Sequence, residues 1–227
     1  GVVIGGSDRS RDQERTPEKF AFLEKQGITL VPQDGTGLTH DYAALVVSSA
    51  IEDSIPEVVR TKELGIPIVK RAELLAQLFN AAKTSIAVGG TSGKSTTTGM
   101  IAWILSQTGQ NPTVMNGANF LNFVTPENPY ATALVGSPDL FVAECDESDG
   151  SIILYHPRIA ILNNIALDHK PVTELLPIFM QYLKQSAQVI LNIDNIPIYD
   201  HIFPHFEGNA ITFSIGNPEA HFCARNI

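Results

Sequence analysis

Two successive α/β units, each built on a mainly parallel sheet, are what this sequence of 227 residues predicts. Three observations lead there. Short β-branched runs alternate with helical patterns, as in a chain of strand–helix–strand crossovers. Glycines follow the predicted helices where a left-handed residue ends a helix. One strand runs through a corner rich in glycine, lysine and hydroxyl groups directly into a helix.

Val2–Ile4, Ile28–Val31, Leu45–Val47 and Ile66–Val69 are predicted strands. Pro17–Gln26 and Pro56–Leu64 are predicted helices, each opening on proline and followed by Gly27 or Gly65. Arg71–Ala82 is a third helix, and Asn80–Thr84 is read as a boundary, giving domains 1–83 and 84–227. The first is expected to be an incomplete Rossmann-like domain. The chain opens GVVIGGSD, without Met and in mid-strand, so its true N-terminus is expected to be missing. In the second unit, Ser85–Gly89, Leu140–Ala143, Ile159–Ile165, Val189–Ile193 and Ala210–Ile215 are predicted strands. Lys94–Gln107 is a helix with Met100, Ile101, Ile104 and Leu105 on one face, and Val172–Gln185 is another. Pro126–Pro138 reads as loop.

Composition narrows the function. Hydrophobic residues at 44% and charged residues at 17% fit a sizeable core rather than disorder. A net charge of −9 argues against nucleic acid or an anionic membrane as the main partner. No apolar run approaches the ~18 residues of a membrane span. Cys145 and Cys223 have no metal-ligand or redox spacing, which suits a reduced, cytoplasmic protein. The sequence is silent on oligomeric state.

The corner is AVGGTSGKSTTTGM, Ala87 to Met100. A helix N-terminus carries unsatisfied N–H groups and partial positive charge. Glycines let the backbone curl round an anion, Lys94 adds a full charge, and the Ser95 hydroxyl is placed for magnesium. The strict eight-residue phosphate-loop pattern fails, because Val88 stands where its first glycine belongs. The match is to a shorter G-T-x-G-K-S form, with Gly90, Thr91, Ser92, Gly93, Lys94, Ser95 and Thr96 as the phosphate cradle. In LFVAECDESDGS (Leu140–Ser151) an apolar strand meets four carboxylates. Glu144, nearest the strand end, is the candidate magnesium ligand, direct or through water. Asp146, Glu147 and Asp149 are read as solvated, and Cys145 as a small packing residue. In RIAILNNIALDHK (Arg158–Lys170) another strand ends in Asn163, Asn164, Asp168 and His169, a candidate site by position.

Together GTSGKSTTT (Gly90–Thr98), AECDESDGS (Ala143–Ser151) and NIALDH (Asn164–His169) resemble the Mur ligases, ATP-dependent amide-forming enzymes of peptidoglycan synthesis. SSAI (Ser48–Ile51), PE (Pro56–Glu57) and GIPIVKRAELLA (Gly65–Ala76) fit that family's UDP-binding domain. The resemblance implies that Lys94 and its loop hold ATP phosphates, that Ser95 and Glu144 bind one Mg2+, and that His169 binds a second. It implies that a UDP-N-acetylmuramate carboxylate is activated as an acyl phosphate and attacked by the amine of L-alanine, another amino acid or a short peptide. Asp8, Ser48, Ser49 and Asn164 are expected at the UDP-sugar, Asp8 because Val2–Ile4 would be the second strand of the intact domain and an acid at its end suits a ribose or base edge. Ser92, Ala166 and Lys170-Pro171 depart from the usual pattern without removing an expected ATP or metal ligand. The chain is then expected to be a fragment, lacking the C-terminal domain that takes the amino acid and inactive alone. A non-catalytic nucleotide-binding module is the alternative, and intact Lys94, Glu144 and His169 disfavour it. A GTP switch is disfavoured because no guanine-reading NKxD sequence is present.

Overall fold

The computed structural model describes residues 2–48, 51–168 and 170–225. By packing, the chain divides into two compact units, Gly1–Leu74 and Leu75–Ile227.

The first unit contains β1 (Gly5–Gly6), α1 (Arg9–Asp12), α2 (Pro17–Lys25), β2 (Thr29–Leu30), β3 (Leu45–Val47), α3 (Pro56–Leu64) and β4 (Ile68–Lys70). β1 pairs with β2 and β3 with β4, both in parallel. Pro17 and Pro56 open their helices, and Gly27 and Gly65 take positive φ at 84° and 67°. The first strand lies further along than Val2–Ile4. Val2 and Val3 are exposed, and pairing starts where the Ile4 carbonyl accepts from Thr29 N at 3.0 Å.

The chain passes into the second unit within α4 (Arg71–Asn80), whose Ala76 and Phe79 are buried in that unit's core. There follow β5 (Thr84–Gly89), α5 (Lys94–Gln107), β6 (Pro112–Met115), β7 (Ala133–Leu134), β8 (Ser137–Glu144), β9 (Ile159–Leu162), α6 (Val172–Lys184), β10 (Gln188–Asn192), β11 (Ala210–Ile215) and β12 (Phe222–Ala224). They build a sheet in the order β12-β11-β10-β9-β5-β8-β6-β7, parallel except where β7 runs against β6. The mixed α/β architecture with a mostly parallel central sheet is thus as expected. β5 and β8 are covered on both faces, which is why they read as continuous apolar runs. Phe141 and Ala143 join the large core with Phe79, Phe179 and Leu183. Val142 points the other way, to Ala102, Val114 and Phe120. The Tyr182 hydroxyl of α6 donates to the Ala87 carbonyl at 2.8 Å, fixing the strand that enters the glycine corner.

Four expectations are corrected. Met100 and Ile104 of α5 are exposed, and the helix buries Thr98 and Ala102 against the sheet, with Ile101 and Leu105 half-buried. Small side chains at that spacing let the helix sit close to the strands it has just left. β6 was not foreseen, because it is four residues long and opens on proline. The loop read over Pro126–Pro138 holds β7 and the start of β8. The strand read over Ile159–Ile165 stops at Leu162, where the chain turns across the glycine corner.

Candidate active site

The glycine corner lies at the carboxyl end of β5, the fifth strand of eight in the sheet order. Gly90 takes φ +136°, and a Cβ there would press on Asn164 O at 3.1 Å and Asn163 Cβ at 3.2 Å. Only glycine serves both needs. Gly93, at φ +76°, caps α5, so the helix N-terminus opens onto the curled loop.

Two asparagines brace the corner from β9. Asn163 N continues the ladder to Gly89 O at 3.1 Å, and its Nδ2 donates to Thr97 Oγ1 at 2.8 Å. Asn164 Oδ1 accepts from Thr91 Oγ1 and Ser92 N, both at 2.9 Å, while its Nδ2 donates to Ser92 O at 2.9 Å. Thr91 Oγ1 in turn accepts from Ala166 N at 3.0 Å. The Asn164 amide, expected at the UDP-sugar, is therefore engaged with the loop, and Ser92 takes part through its backbone as well as its side chain. The loop shape is held before any anion arrives, so little ordering is left for binding.

Lys94 Nζ donates to Gly90 O at 2.8 Å and to Glu147 Oε2 at 3.0 Å. Glu147 is buried, its side chain only 4% exposed, which overturns its reading as a solvated acid. The signal was in the sequence. Asp146 and Asp149 each precede serine by two, and each accepts from that serine's N–H at 2.8 Å, as in Asx turns. The turns leave Glu147 to point inward. Lys170 Nζ donates to the Glu147 carbonyl at 3.2 Å, which gives the residue departing from the family pattern a place in the turn.

Glu144 ends β8 beside Val88 of β5. A Cβ at Gly117 would overlap Glu144 Oε1, so that glycine makes room for the carboxylate. Glu144 Oε2 is buried and has no hydrogen-bond partner among the described residues. A carboxylate oxygen there wants a donor or a cation. Ser95 lies in the first turn of α5, its carbonyl accepting from Asn116 Nδ2 at 3.4 Å. Ser95, Thr96 and Asn116 line a cavity of about 390 Å³. Glu144 and the Ser95 hydroxyl are hard oxygen donors, so this corner fits a magnesium ion. His169 lies outside the described residues, as does Ser49.

Cys145 is fully buried, and burial, followed by the negative charge of Glu144, pushes its thiol well above the usual range. Cys223 is half-buried. In the folded protein a thiol reagent is expected to label Cys223 first and Cys145 at least ~100-fold more slowly, because the thiolate is the reactive form. Equal labelling rates without denaturant would show that Cys145 is accessible.

In the first unit, Asp8 and Ser48 line one cleft of about 520 Å³ together with Ser7, Arg9, Gln33 and Glu57. Asp8 caps α1 by accepting from Ser10 N at 2.7 Å, so its side chain has a structural duty at the cleft's edge. No helix among the described residues is long and apolar enough to cross a membrane.

Comparison with known proteins gives the same pattern in both units. The model of the Mur ligase family catalytic domain matches residues 6–83, and that of the Mur ligase middle domain matches residues 88–227. The UDP-N-acetylmuramate–L-alanine ligase of Coxiella burnetii is 36% identical over 228 residues, which span 96% of this chain and 46% of the relative. That of Persephonella marina is 39% identical over 222 residues, 95% of this chain and 46% of the relative. The chain thus spans about half the length of the curated relatives it matches. A UDP-N-acetylmuramate–alanine ligase structure from Thermotoga maritima aligns with TM-score 0.75 and 25% identity, over 94% of this chain and 47% of that one. A murein peptide ligase from Psychrobacter arcticus aligns with TM-score 0.79 and 23% identity, over 99% and 51%.

Proposed function

We propose, because this chain belongs to the Mur ligase family, that it carries the sugar-nucleotide and ATP sites of an enzyme joining UDP-N-acetylmuramate to L-alanine. Residues 1–83 take the UDP-sugar and residues 84–227 take ATP. The observation that carries this reading is the Glu144 carboxylate, one of whose oxygens is buried and unpartnered, at a strand end next to the glycine corner. The names of the curated relatives support L-alanine as acceptor.

The chemistry follows from the charges. A carboxylate is a poor electrophile until one of its oxygens becomes a good leaving group. The carboxylate takes the γ-phosphoryl group of ATP as ADP leaves, giving an acyl phosphate; the neutral amine of L-alanine then attacks its carbonyl carbon, phosphate leaves and the amine proton passes to solvent. Two anions must first be held close together. The loop N–H groups and Lys94 offset that repulsion, and Lys94 exchanges its bond to Gly90 O for a phosphate oxygen. Ser95 and Glu144 would hold a magnesium ion, and His169 a second, which would supply further positive charge at the phosphates.

The test is the full-length protein with UDP-N-acetylmuramate, L-alanine and Mg-ATP. Phosphate release is expected to require both acceptor and sugar nucleotide, and to match the amide product mole for mole. Phosphate release indifferent to both would leave a plain ATPase. Asp8→Ala and Ser48→Ala are each expected to raise the KM for the UDP-sugar by about tenfold, the loss of one hydrogen bond of ~1.4 kcal/mol. An unchanged KM in both variants would remove the first unit's cleft from the substrate site.

A further inference from the structure

Asn116 follows β6 directly and is buried, with 6% of its surface exposed. Its Nδ2 donates to Ala118 O at 3.1 Å and to Ser95 O at 3.4 Å. Two carbonyls on one side fix which end of the amide is the donor, because only the NH2 end can satisfy them. The other end, Oδ1, is buried without a hydrogen-bond partner among the described residues. The register Met115↔Ala143 places the next residues, Asn116 and Glu144, side by side at the ends of β6 and β8. Glu144 Oε2 is unpartnered too, and Gly117 leaves space for its carboxylate. Two neighbouring strand ends thus each present a buried acceptor with no N–H to receive. Asn116 also grips the backbone of Ser95, so it joins the first turn of α5 to the end of β6.

Acceptors of this kind are the ligands of a hard cation. Mg2+ and Mn2+ take carboxylate, hydroxyl and amide carbonyl oxygens, and keep some of their own water. We propose that Asn116 Oδ1 is a further ligand of the divalent cation held by Ser95 and Glu144, directly or through one of its waters. The proposal rests on the reading of this corner as a Mg-ATP site. Asn116 supplies a neutral oxygen, so it adds a ligand without adding charge beside the phosphates. It also ties cation occupancy to the position of Ser95, since one amide serves both.

Mn2+ is the probe, titrated into the full-length protein with a non-hydrolysable ATP analogue and followed by electron paramagnetic resonance. Asn116→Leu is expected to weaken Mn2+ binding by about 10–100-fold, the usual cost of a lost ligand or its support. Glu144→Gln in parallel separates two failures. If Glu144→Gln loses Mn2+ and a folded Asn116→Leu binds it within about twofold of wild type, the Asn116 assignment is overturned and the metal site stands. If neither variant alters Mn2+ binding, the metal reading falls and this inference with it. Should Asn116→Leu not fold, Asn116→Asp decides. Its added charge faces the cation, so Mn2+ is expected to raise its melting temperature more than it raises that of wild type. An equal or smaller rise overturns the proposal.

Discussion

Lys94→Ala in the full-length enzyme is expected to cost turnover and stability together. Turnover falls by ~10³-fold or more, because no other side chain of the loop brings a full positive charge to the phosphates. Stability falls by ~3–5 kcal/mol, because the change leaves Glu147 as a buried carboxylate without its cation. From the sequence alone the same variant is expected to keep a near-native fold, and the buried pair reverses that half of the expectation. A double variant separates the two effects. Lys94→Ala with Glu147→Gln removes the stranded charge and is expected to recover most of the stability and none of the turnover. Urea unfolding and steady-state rates on the wild type, both single variants and the double complete the cycle. A single variant as stable as wild type would show that Lys94 and Glu147 are not coupled. A double variant with restored turnover would show that the lysine acts only by neutralising Glu147.

Glu144→Gln is expected to part function from stability in the other direction. Turnover falls by ~10²–10³-fold as the metal loses its charged ligand. The nucleotide-free protein keeps its stability or gains ~1 kcal/mol, because a buried carboxylate oxygen without a partner is a cost in that state. Mg-ATP at ~100 times its Kd should stabilise wild type by ~2.7 kcal/mol, and Glu144→Gln should lose most of that gain. The readout is a melt with and without Mg-ATP. A variant that melts well below wild type without nucleotide, yet keeps the full gain with it, would place Glu144 in structure and not at the metal.

Much of the molecule could be read from neighbours along the chain. The prolines at the starts of α2 and α3, with Gly27 and Gly65 after them, act within a turn of backbone, and the helices lie where those residues put them. The glycine corner is local as well, since Gly90, Gly93 and Lys94 shape it by φ angles and by the start of α5. The alternation of strand and helix named the architecture, and three short motifs in order named the family.

What escaped was decided by partners far along the chain. Met100 and Ile104 have the spacing of a buried stripe, yet α5 turns Thr98 and Ala102 to the sheet. That choice belongs to the strands it meets, not to its own pattern. β6, β7 and β12 are short segments at or next to the sheet's edges, held by ladders to neighbours, with too few residues to carry a period of their own. Glu147 and Lys94 meet across 53 residues, and Asn164 and Ser92 across 72. Sequence alone determined that this chain has an α/β fold, a phosphate loop and an acid at the next strand's end. Only the tertiary structure decided which acid pairs with the lysine, which asparagine shapes the loop and which oxygens remain unpartnered. Caps and turns are settled by bonds a few residues long, whereas a buried charge takes whatever partner the closed sheet brings beside it.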